Sequence, residues 1–324
     1  MKRKATWDSS PVVVLYGPTA SGKSELAVAL AEQVGAVIIN ADSLQVYAEL
    51  SILTARPEAA TLARAPHLLY GVLPAATAGS VAWWCDAALT EIRAAREAGL
   101  HAIVTGGTGL YLKTLMEGLS PLPAADPEAR SRATALYEEL GGQRFRDALM
   151  ARDSRIATRL APGDRQRLIR AWEVVESTGT PLSDWQALPR EPGHDLRFKT
   201  VGLLPSREEL YSRINRRFDL MMDQGALDEA ARFAALGLPA ALPANKALGL
   251  PELRRHLAGE ISLFQAGQLA RQVSRNYAKR QMTWFRHQMG GDPESPEPSG
   301  PGLLIEEFSE RTLPKIISFI VAAG

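Results

Sequence analysis

The chain has a single cysteine, Cys85, in 324 residues, which excludes an intrachain disulfide and a cysteine-rich zinc site. Its five histidines, His67, His101, His194, His256 and His287, are scattered. A metal-ligand set needs convergence, so they are read as surface or core residues. No apolar run approaches the roughly 18 to 20 residues that span a bilayer. The basic start, MKRKATWDSSP, is not followed by the apolar stretch of a signal peptide, and the apolar close, IISFIVAAG, reads as an amphipathic end-helix. A soluble, cytoplasmic protein with no membrane partner is expected. An excess of either charge is missing too: 37 Lys and Arg stand against 36 Asp and Glu. Any surface for a polyanion must therefore be local. No extended heptad pattern compels a dimer, and a monomer is expected.

Hydrophobic residues make up 46% of the chain, enough for a sizeable core. Residues 11–16 (PVVVLY) form a short β-branched run of the kind buried in parallel sheets, and ELAVALAEQV after Ser24 reads as a helix. Residues 36–40 (AVIIN) predict a second strand, 81–98 a helix, and 101–105 (HAIVT) a third strand closed by a glycine-rich turn. This alternation is the grammar of an α/β fold with a parallel sheet flanked by helices. Near Ser120 the composition changes to a proline-rich hinge and then to charged helical sequence, which continues to about Leu188. FKTVGLLP returns to a strand. The reading is a core of residues 1–119 and 197–288 with an all-helical domain inserted at 120–196. A flexible acidic linker follows at 289–302, then a last strand and helix at 303–324.

Gly17-Pro18-Thr19-Ala20-Ser21-Gly22-Lys23-Ser24 fits GxxxxGK[ST] in full. The spacing has a mechanical cause. The glycines let the backbone wrap a phosphate with its N–H groups turned inward, and the helix that follows adds its positive end. Lys23 reaches the terminal phosphate and Ser24 offers a hydroxyl to Mg²⁺. A P-loop ATPase usually holds that metal's shell with an Asp at the end of a second apolar strand. Here the candidate strand ends in Thr105 and glycines, which weakens an ATPase reading and leaves a diphosphate leaving group as an occupant. Asp42, at the tip of the second strand, reads as a general base, a metal-shell group or a helix cap. Thr108, in the glycine-rich turn, reads as a phosphate contact or a turn residue.

The segment Ala270–His287 carries Arg271, Arg275, Lys279, Arg280 and Arg286 without an acid, interleaved with Tyr277, Trp284 and Phe285. Cations neutralise phosphates and planar rings stack on bases. An amphipathic helix with solvated cations is the plainer alternative. Asp164-Arg165-Gln166-Arg167-Leu168-Ile169-Arg170 is a second basic knot, and the two are read together as the local basic surface. Arg216 and Arg217 are read as opening another helix, one closing over a diphosphate and the other forming a surface pair with Asp219 or a nearby Glu. On these residues alone, a small-molecule kinase and a non-catalytic RNA-binding protein stay open beside a transferase.

Five motifs occur in order: the phosphate loop, Ala41-Asp42-Ser43-Leu44-Gln45, Gly106-Gly107-Thr108-Gly109-Leu110-Tyr111, Asp164-Arg165-Gln166-Arg167, and Ala278-Lys279-Arg280-Gln281-Met282-Thr283-Trp284-Phe285-Arg286. Together they resemble the tRNA dimethylallyltransferase (tRNA isopentenyltransferase) family, of bacterial type, from about Val12 to Arg286. The resemblance implies transfer of a dimethylallyl group from dimethylallyl diphosphate to N6 of the adenosine at position 37, beside the anticodon. It implies that Gly17 to Ser24 hold the diphosphate with Ser24 on Mg²⁺, that Asp42 is the general base, that Thr108 meets the bridging oxygen, and that Arg217 clamps the diphosphate. It implies tRNA contacts at Asp42, Ser43, Leu44, Gln45, Thr108, Arg130, Gln166, Arg167, Leu168, Ile169, Arg170, Lys246, Lys279, Arg280, Gln281, Trp284 and Arg286, with the inserted helices gripping the anticodon stem-loop. The chain departs from the family's pattern at Leu250 and Pro251, where an aromatic and a basic residue are usual, and at Leu53, where a glycine is.

Overall fold

Five consecutive buried residues, Val12–Tyr16, form β1, and the chain turns from them straight into the phosphate loop and helix α1, Lys23–Val34. The computed structural model describes residues 10–124, 126–190, 192–289, 302–309 and 311–322. The expected linker at 289–302 lies almost wholly outside the described residues. Helix α1 stops where Gly35 adopts a φ of 68° and returns its N–H to Ala31 O at 3.0 Å, the left-handed exit that glycine takes without a Cβ clash. Strands β2 (Ala36–Asn40), β3 (His67–Leu68), β4 (His101–Gly106), β5 (Phe198–Leu203) and β6 (Gly302–Ile305) complete a six-stranded sheet in the order β3-β2-β4-β1-β5-β6. Every pairing is parallel. The two-residue β3 carries no periodicity that sequence reading can detect.

Because side chains alternate along a strand, β1 feeds two cores. Val13 and Leu15 pack with Ile103, Val201 and the apolar face of α1, Leu26 and Leu30. Val12, Val14 and Tyr16 face the other way, toward Trp84 and Ile92 of α3 (Val81–Glu97) and Phe285. Parallel strands covered on both faces need such continuous apolar runs, and β1, β2 and β4 have them. Two short helices, α2 (Ala59–Leu62) and α4 (Gly109–Glu117), precede β3 and follow β4 respectively. At the C-terminal end, α13 (Leu313–Val321) joins the α1 side through Ile316 and Ile320. The buried Lys199 ammonium of β5 holds it by donating to Phe319 O at 2.8 Å and Ile320 O at 3.3 Å.

Helix α9 spans Arg207–Asp223 and begins on Ser206, whose hydroxyl accepts from Glu209 N at 3.3 Å. Arg216 and Arg217 therefore lie inside α9 and do not open a helix; the Ser206 cap sets the start upstream of them. Helices α10 (Ala226–Ala235) and α11 (Leu250–Leu257) follow, separated by a 3-10 turn at Pro243–Lys246. Helix α12, Leu263–Gln288, starts on a Ser262–Gln265 capping box upstream of the basic segment.

Residues Glu117–Gly193 form a separate compact unit. Its helices α5 (Pro127–Met150), α6 (Ser154–Arg159), α7 (Arg165–Thr178) and α8 (Leu182–Ala187) enclose their own core of Phe145, Leu149, Leu168, Ile169 and Trp172. The fully buried Glu173 carboxylate of α7 pairs with Arg130 and Arg170 and accepts from Asp126 N at 3.2 Å. Among the described residues no helix is long and apolar enough to cross a membrane.

Candidate active site

The phosphate loop is shaped by close approach. A Cβ on Gly17 would lie 2.4 Å from Leu203 O, so only glycine lets β1 and β5 run into the turn together. Gly22 takes a φ of 95° and Ala20, unusually for a residue with a Cβ, a φ of 63°. No side chain caps α1, so its first-turn N–H groups stay available to an anion. Lys23 arcs back over the loop and donates to Pro18 O at 3.1 Å. Arg217 of α9 donates to Thr19 Oγ1 at 2.5 Å, and Arg213, one turn earlier on the same helix, to Ser21 O at 3.1 Å.

These groups line a cleft of about 500 Å³ that takes in Thr19 to Glu25, Asp42, Gln45, Thr54, Ala55, Tyr70, Thr105, Gly106, Arg213, Arg217 and Phe308. Asp42 sits just past β2, where the buried Asn40 side chain fixes the turn. Asn40 Oδ1 accepts from Asp42 N at 2.9 Å, its Nδ2 donates to Asp42 O and to Leu69 O, each at 3.0 Å, and its carbonyl accepts from Trp84 Nε1 at 2.7 Å. One Asp42 oxygen accepts from Leu44 N at 2.9 Å. The carboxylate therefore caps a local turn, since no helix starts there, and it also faces the cleft. Thr108 joins the same corner by accepting from Ser43 N at 2.9 Å and donating to Ser43 Oγ at 3.2 Å. Gly106 makes this possible, since a Cβ there would stand 2.1 Å from Ala41 O.

Asp42, Thr19, Thr54 and Arg217 border a second, narrower space of about 30 Å³ as well, enclosed by Leu44, Leu53, Ile214, Phe218, Met221, Leu248, Ser274 and Tyr277. That is the room of about one water. Asp42 thus stands where the wider cleft meets a narrow recess of mixed polar and apolar lining. Its charge is felt by several neighbours. Removal from water lowers the Lys23 ammonium to about 8; Asp42 pulls it back up and Arg217 adds to the lowering. Burial likewise lowers Arg217 against the pull of Asp42. The phenols of Tyr70 and Tyr277 are raised, first by burial and then by Asp42.

Sequence reasoning missed three residues here, and read a fourth, Tyr277, only as a ring among the cations of α12. Tyr277 lies in the recess. Arg213 precedes Arg217 by four positions, a spacing that puts both on one helix face and could have flagged it. Tyr70 follows a strand of two residues and left no signal. Glu229 is buried in α10, and its carboxylate accepts from the backbone N–H groups of Ser51, Ile52 and Leu53 at 2.7–2.9 Å. It shapes the turn that carries Thr54 and Ala55 to the cleft.

Among the residues expected at tRNA, three have other positions. Leu168 and Ile169 are buried in the core of the helical unit, since they occupy the inward face of α7; the basic knot presents Arg165, Gln166 and Arg167 to solvent. Gln281 is 6% exposed. It accepts from Thr19 N and donates to Gly107 O, both at 2.8 Å, tying the phosphate loop to the Thr108 turn. Arg271 pairs with Asp219 and lies over Phe218, and Arg275 donates to Asn215; the expected Arg216–Asp219 pair gives way to Arg271–Asp219. Lys279, Arg280 and Arg286 are exposed on α12, and Lys246 and Arg130 are exposed on their own elements. Trp284 is half-buried against Gly109, where a Cβ would meet its ring at 2.3 Å.

The model of the IPP transferase family matches residues 45–288, and that of isopentenyl transferases matches residues 10–69. The tRNA dimethylallyltransferase of Paramagnetospirillum magneticum is 52% identical over 284 residues, which cover 88% of this chain and 90% of that one. Its counterpart from Rhodospirillum centenum is 50% identical, with 86% and 89% covered. The crystal structure of the full-length tRNA isopentenylpyrophosphate transferase from Bacillus halodurans superposes with a TM-score of 0.68 at 30% identity, covering 96% of each chain. With its sheet order, its phosphate loop and these relatives in agreement, the chain belongs to the IPP transferase family of tRNA dimethylallyltransferases.

Proposed function

We propose that this protein transfers a dimethylallyl group from dimethylallyl diphosphate to N6 of adenosine 37 in tRNA, releasing diphosphate. The observation that carries this is the place of Asp42, which borders both the cleft of the phosphate loop and the narrow recess beside it. The diphosphate lies on Gly17 to Ser24, against the open N-terminus of α1, with Lys23 and Arg217 on its charge. A base turned out of its stack meets the allylic C1 beside Asp42. The N6 nitrogen attacks C1, the C1–O bond breaks, and its electron pair leaves with the diphosphate while the N6 proton passes to Asp42. Thr108, beside Ser43, donates to the bridging oxygen as charge gathers there. The recess of about 30 Å³ is smaller than a base, so the side chains around Tyr277 must part when RNA binds.

Mg²⁺ suits this donor set. No group of three His, Cys, Asp or Glu converges among the described residues, which argues against an all-protein cage. Mg²⁺ keeps waters and takes its other ligands from substrate phosphates, so one Ser24 hydroxyl at the cleft suffices. When bound there it would neutralise charge on the leaving diphosphate.

For tRNA, Lys279, Arg280, Arg286 and Lys246 on the sheet unit, and Arg130, Gln166, Arg167 and Arg170 on the helical unit, supply cations and hydrogen bonds to phosphates of the anticodon stem-loop. In this reading Ser43, Leu44, Gln45 and Trp284 meet the target nucleotide. The test is incubation with unmodified tRNA, labelled dimethylallyl diphosphate and Mg²⁺. Label in the RNA supports the reading; ATP consumption without incorporation would favour the kinase alternative.

A further inference from the structure

Thr105 is the penultimate residue of β4, and β4 lies directly beside the strand that feeds the phosphate loop: Thr105 pairs with Leu15 of β1 and with Asn40 of β2. In nucleotide-hydrolysing relatives of this loop an acid at a strand end holds the metal's shell. Here the position carries a neutral hydroxyl. Ile103 packs in the core on the α1 side, and side chains two apart share a face. Thr105 therefore points to the face from which α1 presents Lys23 and Ser24, and it lines the same cleft. The residue is 4% exposed, and its hydroxyl has no hydrogen-bond partner within the protein. Folded proteins rarely leave a buried hydroxyl unpaired. The Ser21 hydroxyl is unpaired too, but it turns back on its own loop, 2.9 Å from where a Gly17 Cβ would stand.

We propose that the Thr105 hydroxyl is a positioning group for the metal, accepting a hydrogen bond from a water on the Mg²⁺ that Ser24 ligates. The assignment rests on the reading of the loop as a Mg²⁺–diphosphate site. A hydroxyl there orients the hydrated ion without adding negative charge next to the diphosphate. A carboxylate would repel that diphosphate and hold Mg²⁺ in its absence. Thr105 leaves the substrate to bring the ion's affinity, and lets ion and diphosphate depart together after transfer.

The experiment uses the full-length protein and inorganic pyrophosphate. Its affinity is measured by calorimetry and by electron paramagnetic resonance, once as the preformed Mn²⁺ complex and once metal-free in a chelator. Wild type is expected to prefer the Mn²⁺ complex. Thr105→Val, nearly isosteric, is expected to weaken that complex about 10-fold, the low end for the loss of an outer-shell partner, and to leave metal-free binding within about twofold. Thr105→Ser is expected to restore the preference. Thr105→Val swaps an unpaired buried hydroxyl for a methyl, so its melting temperature should not fall; Thr105→Ala serves as a second variant should the valine not fold. A Thr105→Val protein with the wild-type preference overturns the assignment and leaves the metal reading intact. Equal weakening of both forms overturns it as well, since the hydroxyl would then act on phosphate or on loop shape. A wild type indifferent to the metal overturns the Mg²⁺ reading itself, and this assignment with it.

Discussion

Gln281 accepts the backbone N–H of Thr19 at 2.8 Å from a helix 262 residues further along the chain, and its own amide donates to Gly107 O. One buried side chain thus locks the phosphate loop against the turn that carries Thr108. Gln281→Ala leaves two backbone groups without partners in a covered site, a cost of about 1–3 kcal/mol for each such group. It should weaken dimethylallyl diphosphate binding measured without RNA by about 10-fold or more, while tRNA affinity changes less. A variant that loses tRNA affinity and keeps diphosphate affinity would return Gln281 to the role of an RNA contact.

Asp42→Asn is the sharper test of the base. Asparagine keeps an oxygen for the Leu44 N–H that Asp42 now accepts at 2.9 Å, so the turn should survive while the proton acceptor is lost. The rate of transfer should fall by at least about 10²-fold, the usual effect of removing a general base, with tRNA dissociation constants within a few-fold of wild type. Single-turnover rates and filter binding check the two halves separately. A transfer rate near that of wild type would rule out proton abstraction by Asp42.

Lys23 sets a pH dependence with a definite sign. Burial holds it at about 8 against an ordinary 10.5. Between those values the unfolded chain binds the more protons, so this group's contribution to stability rises with pH through the window and is least favourable below 8. A diphosphate favours the ammonium. Binding of dimethylallyl diphosphate at pH 8.5 should therefore take up a proton, seen calorimetrically as a dependence on buffer ionisation heat. Lys23→Met should abolish that dependence. Its persistence in Lys23→Met would place the titration on another group.

The strands and the loop were legible because they are local: VVVLY, AVIIN and HAIVT announce buried strands without help from the rest of the chain, and the loop's glycines are fixed by its own geometry. Contacts made across the chain were not. The pairing of Gln281 with Thr19 and the cap of Glu229 on the 51–53 turn depend on how distant elements meet. Leu168 and Ile169 were misread for a related reason. A basic run such as Arg165 to Arg170 was taken as one surface, but a helix of 3.6 residues per turn must bury one side of it, and the core of Phe145 and Trp172 claims those two.

The cations of α12 fall into two groups that salt should separate. Arg271 and Arg275 are engaged with α9 through Asp219, Phe218 and Asn215. Lys279 and Arg286 are exposed, and Arg280, over the ring of Tyr277 at 5.7 Å, is exposed as well. Each phosphate contact releases counterions from the RNA and contributes roughly 0.7–0.9 to the slope of log affinity against log salt. Lys279→Ala and Arg286→Ala should each weaken tRNA binding and flatten that slope by about this amount, while dimethylallyl diphosphate binding stays unchanged. Arg271→Ala should lower the melting temperature, because it removes a partly buried ion pair and the packing over Phe218, and should leave the slope alone. Titrations at four or more salt concentrations decide the matter. Equal slopes for Lys279→Ala and wild type would mean that this face of α12 does not meet RNA, and would return its cations to the plain role of a solvated helix face.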